Sequence, residues 1–152
     1  MLRHVLLLCA AFCLIPALAV AQRSSPNGTG KDLQGTWQAV DAEGNGGKLA
    51  EDKIKETQIV IHSDTLAIKP DGEGRKTTFT VDAGKTPGTI NLIPLDGGRK
   101  GSIVPGIYSM QDGQLKICIN IWGKDPTLRP TEFKTQQGDG CVFVTLKRTT
   151  QK

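Results

Sequence analysis

Leu115-Lys116-Ile117-Cys118-Ile119-Asn120-Ile121-Trp122 alternates a branched apolar residue with a second kind of residue almost to its end. Successive side chains of a strand point to opposite faces of a sheet. Leu115, Ile117, Ile119 and Ile121 are therefore expected to face a core, and Lys116, Cys118 and Asn120 to face away from it. Just upstream, Asp112-Gly113 is a tight-turn dipeptide, and Ser102 to Met110 reads as the strand that the turn folds back on. Downstream, a long polar connection from Gly123 to Gly140 leads to a closing strand, Cys141 to Arg148. There Val142, Val144 and Leu146 are expected to point in, and Cys141, Phe143 and Thr145 out.

The same pattern runs back toward the N-terminus. Leu33 to Glu43 reads as a first strand carrying Trp37, Ala39 and Val40, ended by Gly44-Asn45-Gly46-Gly47. Leu49 to Lys55 predicts a short helix in which Leu49, Asp52 and Ile54 pack. Thr57 to His62 and Thr65 to Lys69 flank Ser63-Asp64, a two-residue hairpin turn. Arg75 to Asp82 and Thr89 to Pro94 follow, separated by Lys85-Thr86-Pro87-Gly88. Eight short strands joined mostly by hairpin-length turns predict an all-β fold. An eight-stranded antiparallel up-and-down barrel with one short helix after the first strand is the leading arrangement, because closure removes exposed edges. A two-sheet sandwich is its competitor. A barrel of this size is either filled by side chains or holds one small ligand.

At 152 residues the chain suits one domain, with 38% hydrophobic and 22% charged residues, which excludes collagen, coiled-coil and multi-pass membrane classes. Residues 1–21 read as a secretory signal: Arg3 and His4, an apolar core, then Ala19-Val20-Ala21 as a small-x-small cleavage site. The apolar stretch is short for a membrane span. Residues 22–31 read as a flexible linker, 32–148 as the barrel domain and 149–152 as a tail. Removal of Arg3 with the signal takes Lys+Arg from 19 to 18 against 15 Asp+Glu, a mild net +3. The cations are scattered, so composition favours neither a nucleic-acid nor an anionic-membrane partner. The predicted location is periplasmic or extracellular. Cys118 and Cys141 remain after cleavage, and both are expected on outward faces of consecutive strands, which leaves a disulfide open to them.

Asp32-Leu33-Gln34-Gly35-Thr36-Trp37 places Gly-x-Trp at the opening of the first strand, which resembles the lipocalin superfamily. The resemblance implies that Trp37 plugs the closed end of the barrel and that Arg148, beside Lys147, lies over it in a cation–π contact. The Lys85-Thr86-Pro87 turn, Gly106-Ile107-Tyr108, the Leu115-Lys116-Ile117-Cys118 strand and Arg129-Pro130-Thr131-Glu132-Phe133 extend the match over roughly Asp32 to Arg148. Together they resemble a family of uncharacterised, exported lipocalin-like domains known chiefly from planctomycete bacteria. Asn91 stands where that family commonly has an acidic residue, and Cys141 is not typical of it. The resemblance implies a fold without a defined reaction or ligand.

Catalytic chemistry finds little support. His62 is the only histidine after residue 4, with no second ligand at metal spacing, and it falls at a hairpin end. Ser102 and Ser109 lack the Gly-x-Ser-x-Gly elbow. Asp71-Gly72-Glu73-Gly74, Asp96-Gly97-Gly98 and Gly138-Asp139-Gly140 lack calcium-loop spacing and read as turns. Neither a cofactor nor a metal is expected. Arg129 and Glu132 are expected to pair and Phe133 to tuck into the barrel mouth, while Tyr108, Met110 and Trp122 are candidates to line that end. These residues make a non-enzymatic binding module for a small, partly apolar ligand the leading functional expectation. The alternative is a structural or protein-interaction module of the cell envelope with a filled barrel and an apolar patch around Trp122 and Phe143.

Overall fold

The computed structural model describes residues 30–69 and 75–149. The signal and most of the linker lie outside the described residues. The linker's last two residues do not: Gly30 is buried and Lys31 opens a 3-10 turn, Lys31–Leu33. Then follow β1 (Gly35–Gly44), β2 (Gly47–Lys48), α1 (Glu51–Glu56), β3 (Gln58–His62), β4 (Thr65–Lys69), β5 (Arg75–Asp82), β6 (Gly88–Pro94), β7 (Val104–Gln111), β8 (Gln114–Asn120) and β9 (Cys141–Arg148).

From β3 to β9 each strand pairs antiparallel with the next, and β1 pairs with both β3 and β9. The register from Trp37↔Arg148 to Gly44↔Val142 closes the ring. The result is a closed eight-stranded barrel, with β2 outside it as a short hairpin arm of β1. The sandwich is excluded, since a continuous ladder leaves no two separate sheets.

The alternation explains the core. Leu115, Ile117, Ile119 and Leu146 turn inward with Ile90, Leu92, Phe79, Leu66, Ile59 and Ile61. On β1 the pairing with β9 shifts between Ala39 and Asp41, a bulge that leaves Val40 exposed. The extra residue reverses the phase, so Ala39 and Ala42 both face in.

Several local boundaries differ from expectation, and three of them have a clear cause. β1 starts at Gly35 because the residues before it take the 3-10 turn, and Leu33 drops into the core. β7 starts at Val104 because Ser102 bonds back to Arg99 O in the preceding loop. The helix spans Glu51–Glu56, and only Ile54 of the expected trio is buried; Leu49 and Asp52 are exposed. This helix packs on the part of β1 beyond Gln38, where β3 is too short to continue the pairing.

One end of the barrel is sealed. Trp37 is 1% exposed, and its indole N–H donates to Leu33 O at 2.8 Å. The Arg148 guanidinium lies 4.4 Å from the Trp37 ring centroid and donates to the carbonyls of Gln34 and, at 2.8 Å, Asp32. Gly35 has φ +122°, and a Cβ there would meet Arg148 Nη1 at 2.8 Å, so the lid needs glycine at this step. Gln34 ties the lid to the β3–β4 turn through Ser63 N and O.

Candidate functional site

The barrel is filled at the sealed end and opens at the other. A cavity of about 220 Å³ is walled by Ile68, Leu92, Val104, Ile119 and Ile121, with Thr77 inside and Arg75, Asp96 and Arg99 at the rim. A second hollow, of about 480 Å³, lies between the β1–β2 arm and the start of β9, along Leu49, Gly140, Cys141 and Val142. Ile121 and Trp122 line both. Trp122 is 72% exposed, an unusual placement for the largest apolar side chain and one typical of a binding surface.

Trp122 is held from behind by backbone. Residues 121–140 leave β8 and return to β9 as a strap over the outer wall. Ile121 N and Trp122 N both donate to Gly140 O, at 3.0 and 2.9 Å. The two ends of the strap cross so tightly that a Cβ on Gly140 would stand 1.9 Å from Gly123 N. The Asn120 side chain, buried in the fold of the strap, accepts from Gly123 N and donates to Asp125 O and Leu128 O. Asp125 in turn accepts from the backbone and hydroxyl of Thr127, which holds its carboxyl below the usual range. These bonds fix the turn on which Trp122 stands.

The outer face of the wall carries a small second core. Ile107, Cys118 and Phe143 are buried there, with Phe133 and Cys141 packed against them. Cys118 and Asn120 do face away from the barrel interior, yet the strap covers them. Phe133 does not enter the mouth. It packs against Phe143 with ring centroids 5.9 Å apart, so Phe143 belongs to this core and not to an exposed patch. Arg129 does not pair with Glu132. Its guanidinium reaches the β6–β7 wall and donates to Ile90 O at 2.8 Å, Gly106 O at 2.5 Å and Asn91 Oδ1 at 2.7 Å. Glu132 instead meets Lys134 at 2.5 Å. The side-chain amide of Asn91 gives Arg129 an acceptor without a charge.

Tyr108 and Met110 face the interior near the sealed end, where Tyr108 pairs with Gly88 and Ile117, and Met110 with Leu115. Burial, then Asp82 and Asp32, raise the Tyr108 hydroxyl above its ordinary pKa. Of the four expected ligand contacts, Trp122 alone lines the cavities. The wall residues Ile68, Leu92 and Val104 were visible only as strand residues, since no local signal says which end of a barrel stays open.

Cys118 and Cys141 are free thiols. The β8–β9 register sets Cys118 opposite Phe143 and Cys141 opposite Asn120, so the two are diagonal neighbours and not partners. Each thiol turns to a carbonyl of the strap, Lys134 O and Asp139 O, both at 3.8 Å. The bridge left open by their shared face is not formed. Burial pushes the Cys118 thiol up to about 12, with Cys141 and Asp139 adding to the effect.

His62 sits at the sealed end, its Nδ1 within 3.3 Å of Ser63 Oγ. Among the described residues no three His, Cys, Asp or Glu side chains converge as metal ligands. No family model, curated protein or solved structure matches this chain.

Proposed function

We propose that the protein is an exported, lipocalin-like module that binds a small, partly apolar ligand at the open end of its barrel. The observation that carries this reading is the apolar cavity of about 220 Å³ beside an exposed Trp122, opposite a sealed, filled end. An engineered apolar cavity of about 150 Å³ takes up benzene. By the ratio of volumes, a group of about nine carbons fits here. Hydrocarbon buried against Ile68, Leu92, Val104 and Ile119 contributes roughly 25 cal/mol per Å² of area withdrawn from water. Thr77 and the rim charges are placed to orient a polar group. The reading is non-enzymatic: the cavity lining offers one carboxylate, Asp96, and no histidine or thiol. Location beyond the cytoplasmic membrane rests on the signal-like residues 1–21.

The test is titration with decanol, followed by Trp emission and by native mass spectrometry. Saturable binding with a blue-shifted Trp122 component, weakened by Val104→Phe, which fills the cavity, supports the reading. Absence of any saturable uptake or bound mass removes it. The filled lower barrel favours the envelope-scaffold alternative, which predicts that second result.

A further inference from the structure

Among the described residues, six large apolar side chains are exposed. Five of them stand at the open end. Leu49 follows the β1–β2 arm, Leu95 and Ile103 flank the β6–β7 loop, and Trp122 and Leu128 lie on the strap. Ile103 is 60% exposed and Leu128 63%. Val40, at the bulge, is the exception. Such residues scattered singly mean little, whereas their collection around one opening marks an interaction surface.

The loops that carry them are basic. Arg99 and Lys100 sit between Leu95 and Ile103, and Lys124 follows Trp122. None of the three forms an ion pair among the described residues. Asp96 and Asp125 share these loops. The strap adds Arg129 and Lys134 against Glu132 and Asp139, so the two loops carry five cations and four carboxylates, and the balance is positive by one.

We infer that the open end of the barrel docks on an anionic lipid surface, with the Leu95, Ile103, Trp122 and Leu128 side chains entering the interface and Arg99, Lys100 and Lys124 meeting lipid phosphates. Exposed Trp with flanking Lys and Arg is the combination that the headgroup region accommodates: an apolar ring with a polar N–H, beside cations. Charge argues against a second copy as the occupant, because two such ends face to face would set Arg99, Lys100 and Lys124 against their own kind. Docking in this orientation also turns the cavity toward the membrane, so a ligand could pass between the two without crossing water.

The test uses the full chain with vesicles of phosphatidylcholine, or of phosphatidylcholine and phosphatidylglycerol, whose acyl chains are brominated. Bromine quenches only nearby indole. Trp122 lies at the rim and Trp37 is buried at the opposite end, where Gly30 joins the preceding chain. Association through residues 1–21 alone would leave Trp122 unquenched. The expected result is Trp122 quenching on anionic vesicles, with binding at least tenfold stronger than to neutral ones. Each Lys or Arg at such a surface is worth about a factor of five. R99Q/K100Q/K124Q should therefore remove most of that preference, and I103S/L128S, which keeps Trp122 as the reporter, should weaken vesicle binding and its quenching while the far-ultraviolet dichroism stays unchanged. Three results overturn the inference: binding without quenching of Trp122, equal binding to neutral and anionic vesicles, or a concentration-dependent dimer that W122A disrupts.

Discussion

Arg148, near the end of the last strand, stacks on Trp37, near the start of the first, 4.4 Å from guanidinium carbon to ring centroid. The contact bolts the seam where the barrel closes, since these two residues are also direct partners in the β1–β9 ladder. Arg148→Lys keeps the charge but loses the planar fork that reaches Gln34 O and Asp32 O. A cost of about 1 kcal/mol is expected for Lys and about 2 for Ala, from the cation–π contact and charged hydrogen bonds. Urea unfolding measures both, and a neutral Arg148→Ala would show that the seam closes without this lid.

Arg129 spans from the strap to the β6–β7 wall. Arg129→Ala leaves Ile90 O and Gly106 O without this donor and frees the strap, at a cost of roughly 1–3 kcal/mol. Amide hydrogen exchange should quicken across residues 123–140 and stay slow in β8. Uniform quickening over the whole barrel would mean that Arg129 supports the fold globally instead.

Leu115 is fully buried in the barrel core near its sealed end. Leu115→Ala should cost about 2–5 kcal/mol. Trp122→Ala, at a side chain 72% exposed, should change stability by less than about 0.5 kcal/mol and still abolish the decanol adduct in native mass spectra. A large loss of stability from Trp122→Ala would make this residue structural.

Alkali should act through Cys118. Its folded pKa, about 12, lies above the ordinary 9.0, so the protonated thiol is favoured in the fold. Stability from this source is complete below pH 9 and is lost as pH rises toward 12, because the unfolded chain sheds the proton first. Cys141 shifts the same way for the same main reason, burial. Denaturant midpoints between pH 8 and 11 should fall less steeply for Cys118→Ala than for the parent chain. Iodoacetamide should modify the half-buried Cys141 before Cys118, and equal rates would argue against the covered position of Cys118.

Much of the architecture was legible locally. The alternation from Leu115 to Ile121 assigned the faces of β8 correctly, and the Asp112-Gly113 and Ser63-Asp64 turns fixed their hairpins. Gly35, Trp37 and Arg148 met as the Gly-x-Trp resemblance implied. Residues 121–140 were not legible. Their conformation depends on hydrogen bonds from Asn120 and Arg129 to backbone far away in sequence, and backbone carbonyls carry no residue identity to read.

The amino-acid order alone determined the eight strands of the ring and the inward faces of β8 and β9, because a period of two and a turn dipeptide act over a few residues. Only the folded chain decided which end stayed open, that Phe133 lay outside the wall, and that Leu49, Leu95, Ile103, Trp122 and Leu128 gathered at one rim. Those outcomes hang on how separate loops meet in space, and no stretch of neighbouring residues encodes that meeting.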